Sequence, residues 1–190
     1  KRVAWCFSVK GKWDIDVIYW CKDRFEFNDL MQDIMANFNS FIELVEVSTI
    51  VDILHFNKDY LINNERDKLS IKKLGRTNYI LTDIEKKILQ SLSMNPVKNI
   101  IEVNKELKIS INTLKKYIKQ LIKNQIILGF SAFIDINNLG YNYFKLHLYL
   151  QNYKETDKKT IISYLQYDPN IVYLDFYIGG ADIEIEYHVK

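Results

Sequence analysis

The chain has 190 residues, of which 48% are hydrophobic and 26% are charged, and its formal net charge is +2. A chain of this length can bury one sizeable core or two or three small ones. It contains no apolar run near the roughly 20 residues that a membrane span needs, and no signal-peptide pattern. The sequence therefore predicts a cytoplasmic globular protein.

The cysteines and histidines give no sign of a disulfide or a metal centre. Cys6 and Cys21 fall in a predicted hairpin that turns at residues 10–13, where Cys6 would lie opposite Ile18 rather than Cys21. Buried free thiols are therefore expected. The three histidines are isolated from one another: His55, His147 and His188. No metal and no other cofactor is expected from these spacings.

The first third of the chain alternates strand and helix patterns. We expect a strand, a turn, a second strand, a helix and a third strand. In order, these elements are predicted at residues 3–9, 10–13, 14–21, 26–39 and 43–55. Residues 1–57 are therefore interpreted as the C-terminal part of a first ferredoxin-like (βαββαβ) domain. The polar residues 58–78 are expected to form a linker.

The last third carries a related pattern. An alternating strand at residues 143–150 is followed by a helix at 154–166 and by a hairpin that turns at Gly179 and Gly180. Residues 131–190 are therefore interpreted as the N-terminal part of a second ferredoxin-like domain.

The two predicted hairpins align with each other. Gly11 matches Gly179 and Asp14 matches Asp182, at a fixed offset of 168 residues. Such an offset indicates a duplicated domain interrupted by the middle of the chain. The first copy would lack its beginning and the second its end, so we expect the chain to be a piece of a longer polypeptide.

Residues 79–130, between the copies, are basic and predict three short helices. They contain nine lysines and four carboxylates, a local charge of +5 that leaves −3 for the rest. A capping box at Thr82 and Glu85 begins the first helix, Asn99 the second and Ser110 the third. The inward positions of the third helix are expected to be Leu114, Ile118, Leu121 and Ile122. Three helices with a short turn before the last predict a helix-turn-helix module.

The outward face of the third helix suits double-stranded DNA. Its candidate DNA-binding residues are Ser110, Asn112, Thr113, Lys115, Lys116 and Lys119. An asparagine amide can read an adenine edge, ammonium groups can meet phosphate, and a helix N-terminus favours an anion. A lysine-rich face is also ordinary solvated surface, but the capped three-helix context and the local charge favour DNA. Tyr117 could pack on the preceding helix or lie along the DNA backbone.

These segments together resemble the Lrp/AsnC (feast/famine) family of transcriptional regulators. The matching stretches are residues 81–89, 107–110, 121–127, 129–135 and 139–140. Three positions depart from the family pattern. Tyr117 stands where the family usually has Arg, and Lys108 and Gln125 stand where Gly is common. The resemblance implies an α+β protein in which a winged helix-turn-helix module is flanked by two partial ferredoxin-like sensor domains.

The resemblance also implies a mechanism. Sensor domains pair through their sheets, and a small metabolite such as an amino acid binds between them and shifts assembly. A tandem chain of this kind is expected to carry a further DNA-binding module before Lys1. The candidate effector or interface residues are those of the two hairpin turns: Gly11, Asp14, Gly179, Gly180 and Asp182.

Two other interpretations stay open. An effector-independent, DNA-organising protein would bind with strong salt dependence and little sequence preference. A regulatory piece of a metabolic enzyme could use the same ferredoxin-like domains, although the lysine-rich helix argues against it. Catalysis itself is not expected, because no nucleophile, phosphate-loop or acid/base pattern is present. The acidic residues of the hairpins are expected on the solvent side of a sheet: Asp14, Asp16, Glu184 and Glu186.

Overall fold

A computed structural model describes residues 3–62, 72–73, 78–94 and 100–190, and it confirms a mixed α+β protein. By contact density the chain divides into two compact units, Lys1–Glu46 and Val47–Lys190. No helix among the described residues is long and apolar enough to cross a membrane.

The first unit is a hairpin followed by a helix, as the sequence predicted. Strands β1 (Val3–Ser8) and β2 (Ile15–Tyr19) pair antiparallel, and helix α1 spans Arg24–Phe38. The helix begins where the Asp23 carboxylate accepts from two first-turn amides. Cys6 lies opposite Val17, one residue from the predicted partner, and both cysteines are free thiols. The prediction of buried thiols is wrong for Cys6, which is exposed.

The second unit contains a five-stranded sheet in the order β4-β3-β6-β7-β5, with antiparallel neighbours throughout. Its strands are β3 (Thr49–His55), β4 (Lys72–Lys73), β5 (Asn142–Leu148), β6 (Ile171–Ile178) and β7 (Ile183–Val189). Helix α5 (Glu155–Leu165) packs on one face of this sheet. Side chains alternate between the two faces along β6 and β7, so one set of apolar side chains packs against α5. The buried members of this core are Leu54, Phe56, Ile171, Leu174, Phe176, Ile183 and Ile185.

Strand β3 belongs to a different sheet from the one the sequence predicted. It was expected to complete the first ferredoxin-like domain, residues 1–57, but it pairs with β6 of the second unit. The reason is burial, because Leu54 and Phe56 are each 2% exposed and pack in the same core as Leu174. Alternation in the sequence determines which face of a strand is apolar, and it does not determine the partner strand.

The predicted linker, residues 58–78, is partly ordered at its beginning. A 3₁₀ turn covers Asp59–Ile62, and Lys72–Lys73 forms the short edge strand β4. The side chain of Tyr60, in the turn, is buried, and its hydroxyl lies 2.5 Å from Nδ1 of His188 on β7. The remainder of the predicted linker, residues 63–71 and 74–77, lies outside the described residues.

The middle of the chain forms the three helices that the sequence predicted. They are α2 (Asp83–Met94), α3 (Ile100–Leu107) and α4 (Ile111–Lys123). Asn99, the predicted cap of the second helix, lies outside the described residues. The buried side chains shared by the module are Ile88, Val103, Leu114, Leu121 and Ile127. Residues 124–141 are described throughout and contain a 3₁₀ turn but no strand, so the expected wing hairpin is not formed there.

The two hairpins have the same internal register. The Val9 amide donates a hydrogen bond of 2.9 Å to the backbone carbonyl of Asp14. At positions 168 residues later, the Tyr177 amide donates one of 3.0 Å to the backbone carbonyl of Asp182. Every cross-strand partner of the β1–β2 hairpin has its counterpart in the β6–β7 hairpin at this offset. A break in register lies between residues 3 and 5 of the first hairpin and between residues 171 and 173 of the second. Bulges are specific features of a strand pair, so a shared bulge supports a common origin for the two hairpins.

Candidate nucleic-acid interface

Helix α4 begins at a side-chain cap. Ser110 has an extended backbone, and its hydroxyl oxygen accepts a hydrogen bond of 3.1 Å from the Thr113 amide. A serine in this position satisfies one of the amides that a helix start leaves free. The predicted N-terminus of the third helix is therefore confirmed, and Asn112 and Thr113 lie in its first turn.

One face of α4 is buried and the other is exposed. Leu114 and Leu121 are both 0% exposed. The exposed polar side chains of the helix are Asn112, Thr113, Lys115, Lys116, Lys119, Gln120 and Lys123. All the predicted DNA-binding residues from Asn112 to Lys119 therefore share a solvent-facing surface, which we call the α4 face: Asn112, Thr113, Lys115, Lys116 and Lys119.

Two predictions about the inner side of α4 are settled by the structure. Ile122 was expected to face inward, but it is 48% exposed, because it lies next to Leu121 and off the buried stripe. For Tyr117 the structure favours the first of the two predicted environments, because its half-buried side chain packs against the core of the three helices.

The turns on either side of α4 hold two residues in the left-handed region. Lys108, before the helix, has φ of 52°, and Gln125, after it, has φ of 58°. These are the two positions at which the sequence departs from a common family glycine. The amides of Ile126 and Ile127 both donate to the Leu121 carbonyl and close the helix behind Gln125. Side chains other than glycine are strained in this region, so both ends of α4 carry strain.

A buried carboxylate holds the start of α2 and is linked to α4. Glu85 is 1% exposed and accepts from the Thr82 amide at 2.9 Å and from the Tyr79 hydroxyl at 2.6 Å. The Glu85 amide donates to the Thr82 hydroxyl at 3.4 Å, which completes the predicted capping box. The Tyr79 hydroxyl also accepts from Gln120 of α4 at 2.8 Å. The hydrogen bond from Tyr79, followed by that from the Thr82 backbone, lowers the pKa of Glu85.

The two other helices of the module are joined by a second polar contact. The Ser91 hydroxyl of α2 donates to a Glu106 carboxylate oxygen of α3 at 2.8 Å. Neither this contact nor the Tyr79–Gln120 hydrogen bond is predicted by the sequence. Both partners of each pair are ordinary polar residues, and their spacing along the chain carries no signal.

The candidate effector residues occupy the hairpin turns. Gly179 and Gly180 have φ of 80° and 66°, and a Cβ on Gly179 would lie 3.0 Å from the Val47 carbonyl oxygen. The Asp182 carboxylate accepts from the Leu150 amide at 2.7 Å, which ties the turn to the end of β5. In the other hairpin Gly11 has φ of 150° and Asp14 is exposed. The positive φ angles explain the glycines, and the hydrogen bond to Leu150 explains Asp182. The role of these residues in effector binding stays a prediction.

The acidic residues of the second hairpin are not where the sequence placed them. Glu184 and Glu186 were expected on the solvent side, but they are 7% and 6% exposed. Their burial results from the side chains around them on the same sheet face, including Lys145 on β5. Within the described part of the chain, no group of His, Cys, Asp and Glu has a geometry that could hold a metal ion.

Comparison with known proteins gives one curated relative and several solved structures. The relative is the HTH-type transcriptional regulator Ptr1 of Methanocaldococcus jannaschii, 40% identical over 62 residues. The match covers 33% of this chain and 42% of Ptr1, so the chain spans less than half of that relative. No family model matches the chain.

The solved structures match over more of the chain at lower identity. The crystal structure of PH0061 is 21% identical, covers 58% of this chain and 73% of its own, and gives a TM-score of 0.52. LrpC of B. subtilis is 20% identical, with 58% of this chain and 78% of its own covered and a TM-score of 0.46. AsnC of E. coli is 18% identical, with coverages of 58% and 74% and a TM-score of 0.46. The comparisons therefore show that 62 residues of this chain are similar to a helix-turn-helix transcriptional regulator, and that the chain shares its fold with PH0061.

Proposed function

We propose that the chain is a transcriptional regulator that binds specific sequences of double-stranded DNA through the α4 face. The observation that carries the proposal is the two-sided character of α4. Leu114 and Leu121 anchor it with 0% exposure, while polar and basic groups are exposed at positions 112, 113, 115, 116 and 119. Similarity to a helix-turn-helix regulator supports the same conclusion.

The groups of the α4 face divide between two tasks. Lys115, Lys116 and Lys119 are exposed cations that meet backbone phosphates and supply affinity independent of sequence. Asn112, in the first turn, reads an adenine edge in the major groove. The N-terminus of α4 at Ser110 adds the positive end of the helix dipole, which favours a phosphate.

The flanking regions are proposed as two partial copies of a ferredoxin-like sensor domain. The shared register and bulge of the two hairpins support this duplication. In this proposal the sensor copies associate through their sheets, and a small metabolite such as an amino acid gates DNA binding. A ligand can do so only through a difference in its affinity for two assemblies. Residues 11, 14, 179, 180 and 182 are the proposed effector or interface positions.

The test is titration of the chain onto promoter fragments and random AT-rich duplexes at several salt concentrations. The variant Lys115→Ala/Lys116→Ala/Lys119→Ala should bind all sequences more weakly, and its salt slope should fall by up to about 3. The control variant removes three exposed lysines outside the module and has the same net charge: Lys10→Ala/Lys22→Ala/Lys159→Ala. Equal binding by the two variants would remove the α4 face from the interface.

The same titration separates regulation from DNA packaging. Preference for promoter fragments, changed by an added amino-acid mixture, supports a metabolite-gated regulator. Preference unaffected by the mixture supports a regulator without that effector class. Strong salt dependence with equal binding to all duplexes would instead indicate a DNA-organising protein.

A further inference from the structure

The five-stranded sheet has an acidic face opposite α5. Alternation directs Ile183 and Ile185 of β7 into the core that α5 covers, so the residues between and after them lie on the other face. Three carboxylates are buried there: Asp175 on β6 is 5% exposed, and Glu184 and Glu186 on β7 are 7% and 6% exposed. We call these three side chains the carboxylate cluster.

Two members of the cluster have clear partners. Lys145 Nζ on β5 lies 2.6 Å from Glu184 Oε2 and 3.8 Å from Glu186 Oε1. The Tyr143 hydroxyl donates to Glu186, and His147 Nδ1 lies 3.3 Å from Glu184 Oε1. Each glutamate therefore lies within ion-pair distance of Lys145, although Glu184 Oε2 accepts no hydrogen bond from the described residues.

Asp175 has no comparable ion pair among the described residues. Its Oδ1 atom is buried and has no hydrogen-bond partner among the described residues. The cross-strand neighbours of Asp175 are Ile53 on β3 and Glu184 on β7, one apolar and one acidic. A buried carboxylate in such surroundings is strongly destabilised when it is charged.

Among the described side chains, the cation in contact with the cluster is Lys145, and it lies against the two glutamates. No hydrogen-bond donor among the described residues reaches Asp175 Oδ1. Burying unpaired charge costs several kcal/mol, so a compensating positive charge is favoured. No group among the described residues has a geometry that could hold a metal ion. A proton is the compensating charge that needs no coordination geometry.

We propose that the carboxylate cluster binds a proton, held on Asp175, when the sheet folds and releases it in mildly alkaline solution. The stability of the sheet of the second unit then depends on pH. This property is separate from the proposed role of α4 in DNA binding. The first hairpin does not share this property. At the positions equivalent to Asp175 and Glu186 it carries Phe7 and Ile18 in the same backbone register.

The neighbouring groups are consistent with a proton on Asp175. Burial, followed by the charges of Glu186 and Glu184, raises the pKa of Asp175 to about 8, while Lys145 acts in the opposite direction. Among the described side chains, the other titratable groups on this face are His55 on β3, Tyr173 and Tyr177 on β6, His188 on β7, and Tyr143 and His147 on β5. Burial raises the pKa of each of the three tyrosines, so they stay neutral donors.

The direction of the pH effect follows from linkage. The pKa of Asp175 is higher in the folded chain, about 8, than its ordinary value of 3.8. The folded state therefore holds more protons between these values, and stability falls as pH rises until about pH 8. Burial lowers the pKa of His188 from 6.5 to about 4, so His188 contributes below pH 6.5. The His188 contribution has the opposite sign and fades above pH 6.5, so the difference between the wild-type chain and Asp175→Asn isolates Asp175.

The experiment is thermal unfolding of the full chain across this interval, with Asp175→Asn as the test variant and Asp29→Asn, an exposed aspartate on α1, as control. The wild-type chain and the control should lose Tm as pH rises. The Tm of Asp175→Asn should fall less steeply than that of either, because the amide cannot ionise. An equal slope in all three proteins, or a flat wild-type profile, would overturn the proposal.

A second measurement applies even if Asp175→Asn does not fold. The carboxyl carbon of Asp175 in the wild-type chain can be followed by ¹³C NMR as pH is raised. A titration midpoint near 8 supports the proposal. A carboxyl group that is already ionised at pH 6.5 would overturn it.

Discussion

Gln120 of the proposed recognition helix donates a hydrogen bond of 2.8 Å to the hydroxyl of Tyr79, which precedes the first helix of the module. The same hydroxyl donates to Glu85 at 2.6 Å, and Glu85 caps α2 through Thr82. One phenol therefore joins the start of α2 to the body of α4. A hydrogen-bond chain that includes an ionised group is stronger than its neutral equivalents.

Tyr79→Phe removes this phenol hydroxyl and keeps the ring. We expect a lower unfolding midpoint in urea and a shallower loss of stability in acid. The acid effect follows because the pKa of Glu85 is lowered first by Tyr79. A lowered carboxyl pKa gives stability above the ordinary value of 4.5 that is lost as pH falls. The control is Tyr164→Phe, whose side chain is 82% exposed, and a matching shift in both variants would contradict the prediction.

Leu114→Ala and Leu121→Ala should each destabilise the helical module by about 2–5 kcal/mol, because both side chains are fully buried. Ile122→Ala is the matched control, and at 48% exposure it should change stability by about 0.5 kcal/mol or less. The measurement is hydrogen exchange of the α4 amides, which reports local stability. Similar exchange in Leu121→Ala and Ile122→Ala would show that the helix is turned differently.

Gln125→Gly should stabilise the module by about 1 kcal/mol, because glycine adopts the left-handed region without the steric cost that Gln125 bears at φ of 58°. Lys108→Gly should act in the same direction at φ of 52°. Glycine inside α4, as in Lys116→Gly, should cost about 1 kcal/mol instead. Chemical denaturation of the three variants gives the comparison, and a loss of stability in Gln125→Gly would refute strain at that turn.

Asn112→Ala should reduce the preference of the chain for its best DNA sequence more than it reduces binding to random duplex. A side chain that reads a base discriminates by about 1–3 kcal/mol, whereas a phosphate contact acts on every sequence. Competition between a selected duplex and its single-base variants measures this difference. Lys119→Ala is the control, since it should weaken all duplexes alike, and the same uniform loss in Asn112→Ala would exclude base readout.

His188→Gln should change the acid dependence of stability. Burial, followed by the positive charge of Lys58, lowers the pKa of His188 from 6.5 to about 4. The unfolded chain then binds an extra proton between these values, so the wild-type chain loses stability as pH falls from 6.5 to 4. The Tm of wild type relative to His188→Gln should therefore decline over this range. A constant difference would show that His188 does not titrate in this interval.

Local signals in the sequence were sufficient for much of the fold. The capping box at Thr82, the cap at Ser110 and the hairpin turns involve residues close in sequence, and the structure has them where they were predicted. The long-range pairing of β3 with β6 was not predicted. A strand with alternating apolar residues can pair with the edge of more than one sheet, and its sequence does not select the partner. The burial of Glu184 was missed for a related reason. Charge alternating with apolar residues usually marks a solvated face, and only the structure brings Lys145 to it.

The common bulge of the two hairpins has a consequence for how this chain could have diversified. Because the backbone of each hairpin is the same, side chains on one of them can change without disturbing the other. The second hairpin holds titratable Asp175, whereas the first presents Phe7 in ring contact with Trp5. The same backbone position therefore carries an ionisable side chain in the second hairpin and an aromatic side chain in the first, so the register of the hairpin does not depend on the chemistry of this residue.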